Sequence, residues 1–69
     1  MYIKTEHFYI NDIEKVADGL RRRGYKEEWI VITPHQQELK MYNLLEDKTA
    51  LLRVENKHIV VDYVRGGRD

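Results

Sequence analysis

The chain has no cysteine and no serine among its 69 residues. The first absence excludes disulfides, thiolate metal sites and a thiol nucleophile, and leaves the redox compartment unreadable. The second removes the commonest hydroxyl nucleophile. No linker, repeat or low-complexity tract divides the chain. No apolar run approaches the roughly 20 residues of a membrane helix, and the opening MYIKTEHFYI lacks the basic flank and uniform apolar centre of a signal peptide. A cytoplasmic protein that makes no membrane contact is therefore expected.

Neither sign of charge is in excess. Twelve basic residues meet twelve acidic ones, and the balance holds locally. From Met1 to His35, Lys4, Lys15, Arg21, Arg22, Arg23 and Lys26 face Glu6, Asp12, Glu14, Asp18, Glu27 and Glu28. A domain that tracks a phosphate backbone usually carries a basic surplus, so the balance weighs against non-specific nucleic-acid binding. A chain this short sits near the lower limit at which one apolar core outweighs chain entropy, which brings oligomerisation into view.

What is present begins with Asn11–Tyr25, NDIEKVADGLRRRGY. Asn11 and Glu14 have capping-box spacing. Ile13, Val16, Ala17 and Leu20 then fall on one helical face. Gly24 can take the left-handed conformation that stops a helix, with Tyr25 beyond it placed to meet Leu20. The pattern predicts a helix over residues 12–23. Gly19 inside it costs about 1 kcal/mol relative to alanine, and close packing of helix on sheet is the preferred compensation.

Trp29-Ile30-Val31-Ile32 is apolar on both alternating faces and rich in β-branched residues, the pattern of a strand covered on both sides. Tyr2-Ile3 and Phe8-Tyr9-Ile10 are strand-like, but Lys4, Glu6 and His7 interrupt the alternation, so the first strand is expected to carry a bulge. Near the C-terminus, a two-residue turn at Asn56-Lys57 pairs Val54 with Ile59, Leu52 with Val61 and Ala50 with Tyr63 on one apolar face. The other face then receives Glu55 with His58, Arg53 with Val60 and Leu51 with Asp62. Lys57 is not the glycine such turns prefer, which leaves room for a longer loop.

The segment 34–47 reads two ways. Thr33 and Gln36 have capping-box spacing with Pro34 at the first helical position, which favours a helix with Leu39, Tyr42 and Leu45 buried. Leu39 and Met41 also alternate with Glu38 and Lys40 as a strand would. The sum is an α+β fold: a small mixed β-sheet with one or two helices on one face, ordered β-α-β-(α or β)-β-β and closing in an antiparallel hairpin. A short strand–helix–strand crossover makes the first two strands parallel. Residues 1–64 are expected to form one compact domain and residues 65–69 a flexible tail.

Arg21, Arg22, Arg23 and Lys26, with Tyr25 among them, could form a phosphate site in which tyrosine stacks on a base. Against this, cations suit a last helical turn, Asp18 is placed to pair with Arg21 and Arg22, and residues about 100° apart cannot all face one ligand. Arg65-Gly66-Gly67-Arg68 is a single RGG-like unit, too little to define a site. His35 and Glu38 would share a helical turn, but His7, His35 and His58 otherwise lie on separate elements, and zinc needs three or four ligands. No metal or cofactor is expected, and the paired carboxylates at Glu27-Glu28 and Glu46-Asp47 read as solvated loop boundaries. The chain is thus expected to be a small non-catalytic protein-binding module, a regulator or inhibitor and homodimeric, using Leu51, Val60 and Val64 on the hairpin face away from the core. Its partners would be a second copy and another protein. The alternative is a nucleic-acid-binding regulator using Arg21, Arg22, Arg23, Tyr25, Lys26, Arg65 and Arg68.

Overall fold

The computed structural model describes residues 1–66. In chain order the elements are β1 (Tyr2–Phe8), α1 (Ile13–Arg22), β2 (Tyr25–Ile32), β3 (Gln37–Asn43), β4 (Lys48–Glu55) and β5 (His58–Arg65). The strands form a five-stranded sheet in the order β1-β5-β4-β3-β2, and each neighbouring pair is antiparallel. The expected mixed sheet is therefore corrected. β1 and β2 do run the same way, but at opposite edges, because α1 carries the chain across the full width of the sheet before β2–β5 fold back as a meander.

The helix begins one residue later than expected. Asp12, extended at φ −151°, caps it, its Oδ1 accepting from the Glu14 N–H at 3.1 Å, so the Asn11 capping box does not form. Asp12→Ala should cost about 1 kcal/mol, whereas Asn11→Ala should leave the urea midpoint unchanged. At the other end Gly24, at φ +97°, donates its N–H to the Arg21 carbonyl at 3.1 Å. Asn43 fastens this terminus to the sheet. Its Nδ2 donates to the Arg23 carbonyl at 3.0 Å and its Oδ1 accepts from the Glu46 N–H at 3.1 Å. A Cβ on Gly24 would lie 3.3 Å from Asn43 Nδ2, so glycine is required there for both its backbone and its neighbour.

Ile13, Val16, Ala17 and Leu20 bury the helical stripe against Tyr25, Leu39, Met41, Ala50, Leu52, Ile59, Val61 and Tyr63. Burial of each larger aliphatic side chain contributes about 1.5–3 kcal/mol, which makes this single layer the main source of stability. A Cβ on Gly19 would meet nothing within 4 Å, so close helix-to-sheet packing is not its reason. Gly19→Ala should accordingly raise stability by about 1 kcal/mol, measured as a higher denaturation midpoint.

The helical expectation for residues 34–47 is overturned, since Gln37–Asn43 is strand β3, paired on both sides. Thr33 does act as a local cap, with Oγ1 accepting from the N–H groups of His35 and Gln36 at 3.3 and 2.9 Å. The same hydroxyl chemistry closes a turn as readily as it starts a helix, and here it turns β2 into β3. The β4–β5 register is the expected one at all six apolar positions. Its turn stays at two residues, with Asn56 and Lys57 at φ 49° and 65°. β1 carries the expected irregularity, between Tyr2 and Lys4. Of the anticipated tail, Arg65 ends β5 opposite Lys48 and donates its N–H to the Met1 carbonyl at 2.7 Å, and residues 67–69 lie outside the described residues.

Candidate functional site: the uncovered face and the edge of the sheet

A ten-residue helix can cover one face of five strands. Residues opposed in an antiparallel pair share a face, so the register assigns the other face to Thr5 and His7 on β1, Val60, Asp62 and Val64 on β5, Leu51 and Arg53 on β4, Glu38 and Lys40 on β3, and Trp29 and Val31 on β2. This face has two unlike halves.

Over β1, β5 and β4 it is closed by a polar ladder. Thr5 Oγ1 donates to Asp62 Oδ1 at 2.5 Å, Arg53 donates to Asp62 Oδ2 at 2.5 Å, and Arg53 Nε donates to Glu55 Oε2 at 3.0 Å. The Thr5 hydrogen bond, followed by that from Arg53, holds the Asp62 carboxyl below its usual pKa. Beside the ladder, His7 Nδ1 lies 3.2 Å from His58 Nε2, and the Tyr9 ring stacks on His58 at 5.2 Å between centroids. His58 opposes Glu55 in register as expected, but its side chain turns to His7 while Glu55 takes Arg53. Two imidazoles are not a metal centre, and among the described residues no group of three or more potential ligands gathers. His35 lies in the β2–β3 turn, so its helical spacing to Glu38 does not exist.

The expected partner-binding trio divides. Val60 is only 1% exposed, enclosed by its register neighbours His7 and Arg53 and by His58 and Asp62 on its own strand, so its predicted exposure is corrected. Val64 is half-buried. Leu51 stays 39% exposed and borders a shallow depression of about 220 Å³ together with Trp29, Glu38, Arg53 and Asp62. That depression opens onto the second half of the face, over β3 and β2.

There the expectation of a doubly covered strand fails. Among the described residues β2 pairs with β3 alone and is an edge, leaving Trp29 at 50%, Ile30 at 46% and Ile32 at 53% exposed. Sequence reasoning missed this site because an apolar run reports affinity for cover without showing that cover exists. The available signal was arithmetical: once 37–43 is a strand, no second helix remains to cover β2.

The arginine run is built as a helix terminus. Arg21 is held by Asp18 and Glu27, with Glu14 at 3.5 Å, and the Glu27 hydrogen bond contributes most to raising its pKa. Arg22 is exposed. The Arg23 guanidinium lies 5.7 Å from the Tyr25 ring and 5.8 Å from that of Tyr63 and donates to Tyr63 Oη at 3.3 Å. Tyr25 is 2% exposed and cannot stack on a base. Lys26 is exposed on β2, Arg65 ends β5 in the same row as Tyr25, Asn43 and Lys48 but three strands away from β2, and Arg68 lies outside the described residues. Of the six described side chains of the nucleic-acid alternative, Arg21 and Arg23 are therefore engaged by other side chains and Tyr25 is buried, which leaves Arg22, Lys26 and Arg65 exposed on three different elements.

Among the described residues no helix is long and apolar enough to cross a membrane. In comparisons with known proteins, the chain matches no family model, no curated protein and no solved structure.

Proposed function

We propose that this chain is a small non-catalytic protein-binding module of the cytoplasm, a regulator or inhibitor, that takes up an extended protein segment along β2. The observation that carries the reading is an edge strand whose second half is apolar and half exposed, beside a depression lined by Trp29 and Leu51. An added strand satisfies the free backbone groups of an edge, while pockets beside it select side chains. The nucleic-acid alternative has less support, because Arg21 is spent on carboxylates and Tyr25 on the core.

The test pairs two measurements. Affinity capture with the wild-type chain and with Ile32→Lys as baits should show partners that the edge variant loses. Titration with single- and double-stranded oligonucleotides at low salt should show no micromolar binding. Micromolar binding that weakens steeply with salt would instead support the arginine reading.

A further inference from the structure

The sheet has two edges, and they are unequally protected. Natural sheets blunt an edge with charges, bulges and irregular pairing. β1 carries Lys4, Glu6 and His7 along its length and an irregularity between Tyr2 and Lys4. β2 is guarded in the same way only in its first half, by Lys26, Glu27, Glu28 and the irregularity between Glu27 and Trp29. Beyond that point Trp29-Ile30-Val31-Ile32 carries no charge and no proline up to the turn.

We infer that two copies of this chain pair through β2, antiparallel about a two-fold axis at Ile30, to form a continuous ten-stranded sheet. The inference rests on the reading of β2 as a protein-binding edge and names its occupant. Strands related by a two-fold axis normal to the sheet must oppose residues of the same face. With the axis at Ile30, Trp29 meets Val31 of the second copy on the uncovered face, twice over. Ile30 meets its own counterpart on the helix side, and Glu28 meets Ile32. Every residue paired in this way lies within β2, and no two like charges are opposed. An axis at Trp29 would set Lys26 and Glu27 against Ile32 and Val31. An axis at Val31 would run the pairing into the turn. The chain is also electrically neutral overall, so no net repulsion opposes a second copy.

Area decides the strength of the pairing. The five paired residues, Glu28 to Ile32, at about 3.3 Å each on a sheet about 10 Å thick, offer a strip of roughly 165 Å² per copy before flanking side chains are added. A permanent interface buries about 800 Å² per partner. The dimer is therefore a reversible one, governed by concentration.

Sedimentation velocity on the full chain from micromolar to millimolar concentration should show a monomer–dimer equilibrium. Ile30→Lys, which sets two ammonium groups against each other at the axis, should weaken it at least about tenfold while leaving the circular dichroism and urea midpoint of the monomer intact. Because the chain has no cysteine, single-cysteine crosslinking is unambiguous. Opposed residues of an antiparallel pair lie about 4.5–5.5 Å apart, within disulfide reach, so oxidised Ile30→Cys should form a covalent dimer much faster than Leu45→Cys, which is more exposed but lies in the β3–β4 turn. A monomer at every concentration, or equal crosslinking at the two positions, overturns the inference. The binding reading would still stand in that case if the wild-type bait captures a different protein that the Ile32→Lys bait loses.

Discussion

Aspartate in place of Val61 is expected to abolish the cooperative unfolding transition of the domain. Val61 is fully buried, opposed by Leu52 on one side and Glu6 on the other, and shares its face with Ile59 and Tyr63 beneath the helix. A carboxylate there loses its hydration and gains Glu6 as a like-charged neighbour, a combination that costs more than about 4 kcal/mol. A chain of this length has roughly 3–10 kcal/mol in total, so the folded population collapses. Val60→Asp is the informative partner experiment. Its position is almost as buried, but it lies opposite Arg53, whose guanidinium already serves Asp62 and can share its charge with a second carboxylate. The loss should be about 1–3 kcal/mol, and the variant should still unfold cooperatively in urea. A wild-type midpoint for Val61→Asp would show that the helix packs on the other face.

The second large effect is alkaline. Burial, reinforced by the hydrogen bond that Tyr63 Oη donates to Glu6 at 2.6 Å, raises the Tyr63 phenol to a pKa of about 12. Its unfolded value is about 10. The native state thus holds its proton where the unfolded chain has released it. The stability is fully present below pH 10 and is lost as pH rises from 10 to 12, by about 2 kcal/mol. Urea midpoints measured across that window should fall for the wild-type chain and fall less for Tyr63→Phe. A residual slope is expected from Tyr25, whose phenol burial also shifts upward. Equal slopes for the two proteins would contradict this account of Tyr63.

Legibility in the sequence followed the range of the interactions involved. The β4–β5 hairpin was readable to the residue, because alternation over Ala50–Val54 and Ile59–Tyr63 and a turn at Asn56-Lys57 lie within one short stretch. The helix was readable apart from one residue at each end: Asn11 and Asp12 are both good caps, and only the path of the chain out of β1 selects the second. Thr33-Pro34-His35-Gln36 was ambiguous in principle, since a hydroxyl reaching forward to two N–H groups serves turn and helix alike, and pairing with β2 and β4 is what decides. The candidate site was the least legible part. The apolar character of Trp29–Ile32 was evident, but its exposure depends on β2 lying at the edge. The burial of Val60 depends on β1 arriving beside β5.

That arrival has a consequence for how the chain is made. β2, β3 and β4 each pair with the next strand in sequence, so their hairpins can assemble as soon as they exist. Among the described residues β1 pairs with β5, where Thr5 reaches Asp62 across 57 positions, and such a closure comes late in folding. On the ribosome β1 must therefore wait, with Ile3 and Phe8 uncovered, until β5 has emerged. The charges and the bulge along β1 are suited to that interval, in which a sticky leading strand would find the wrong neighbour first.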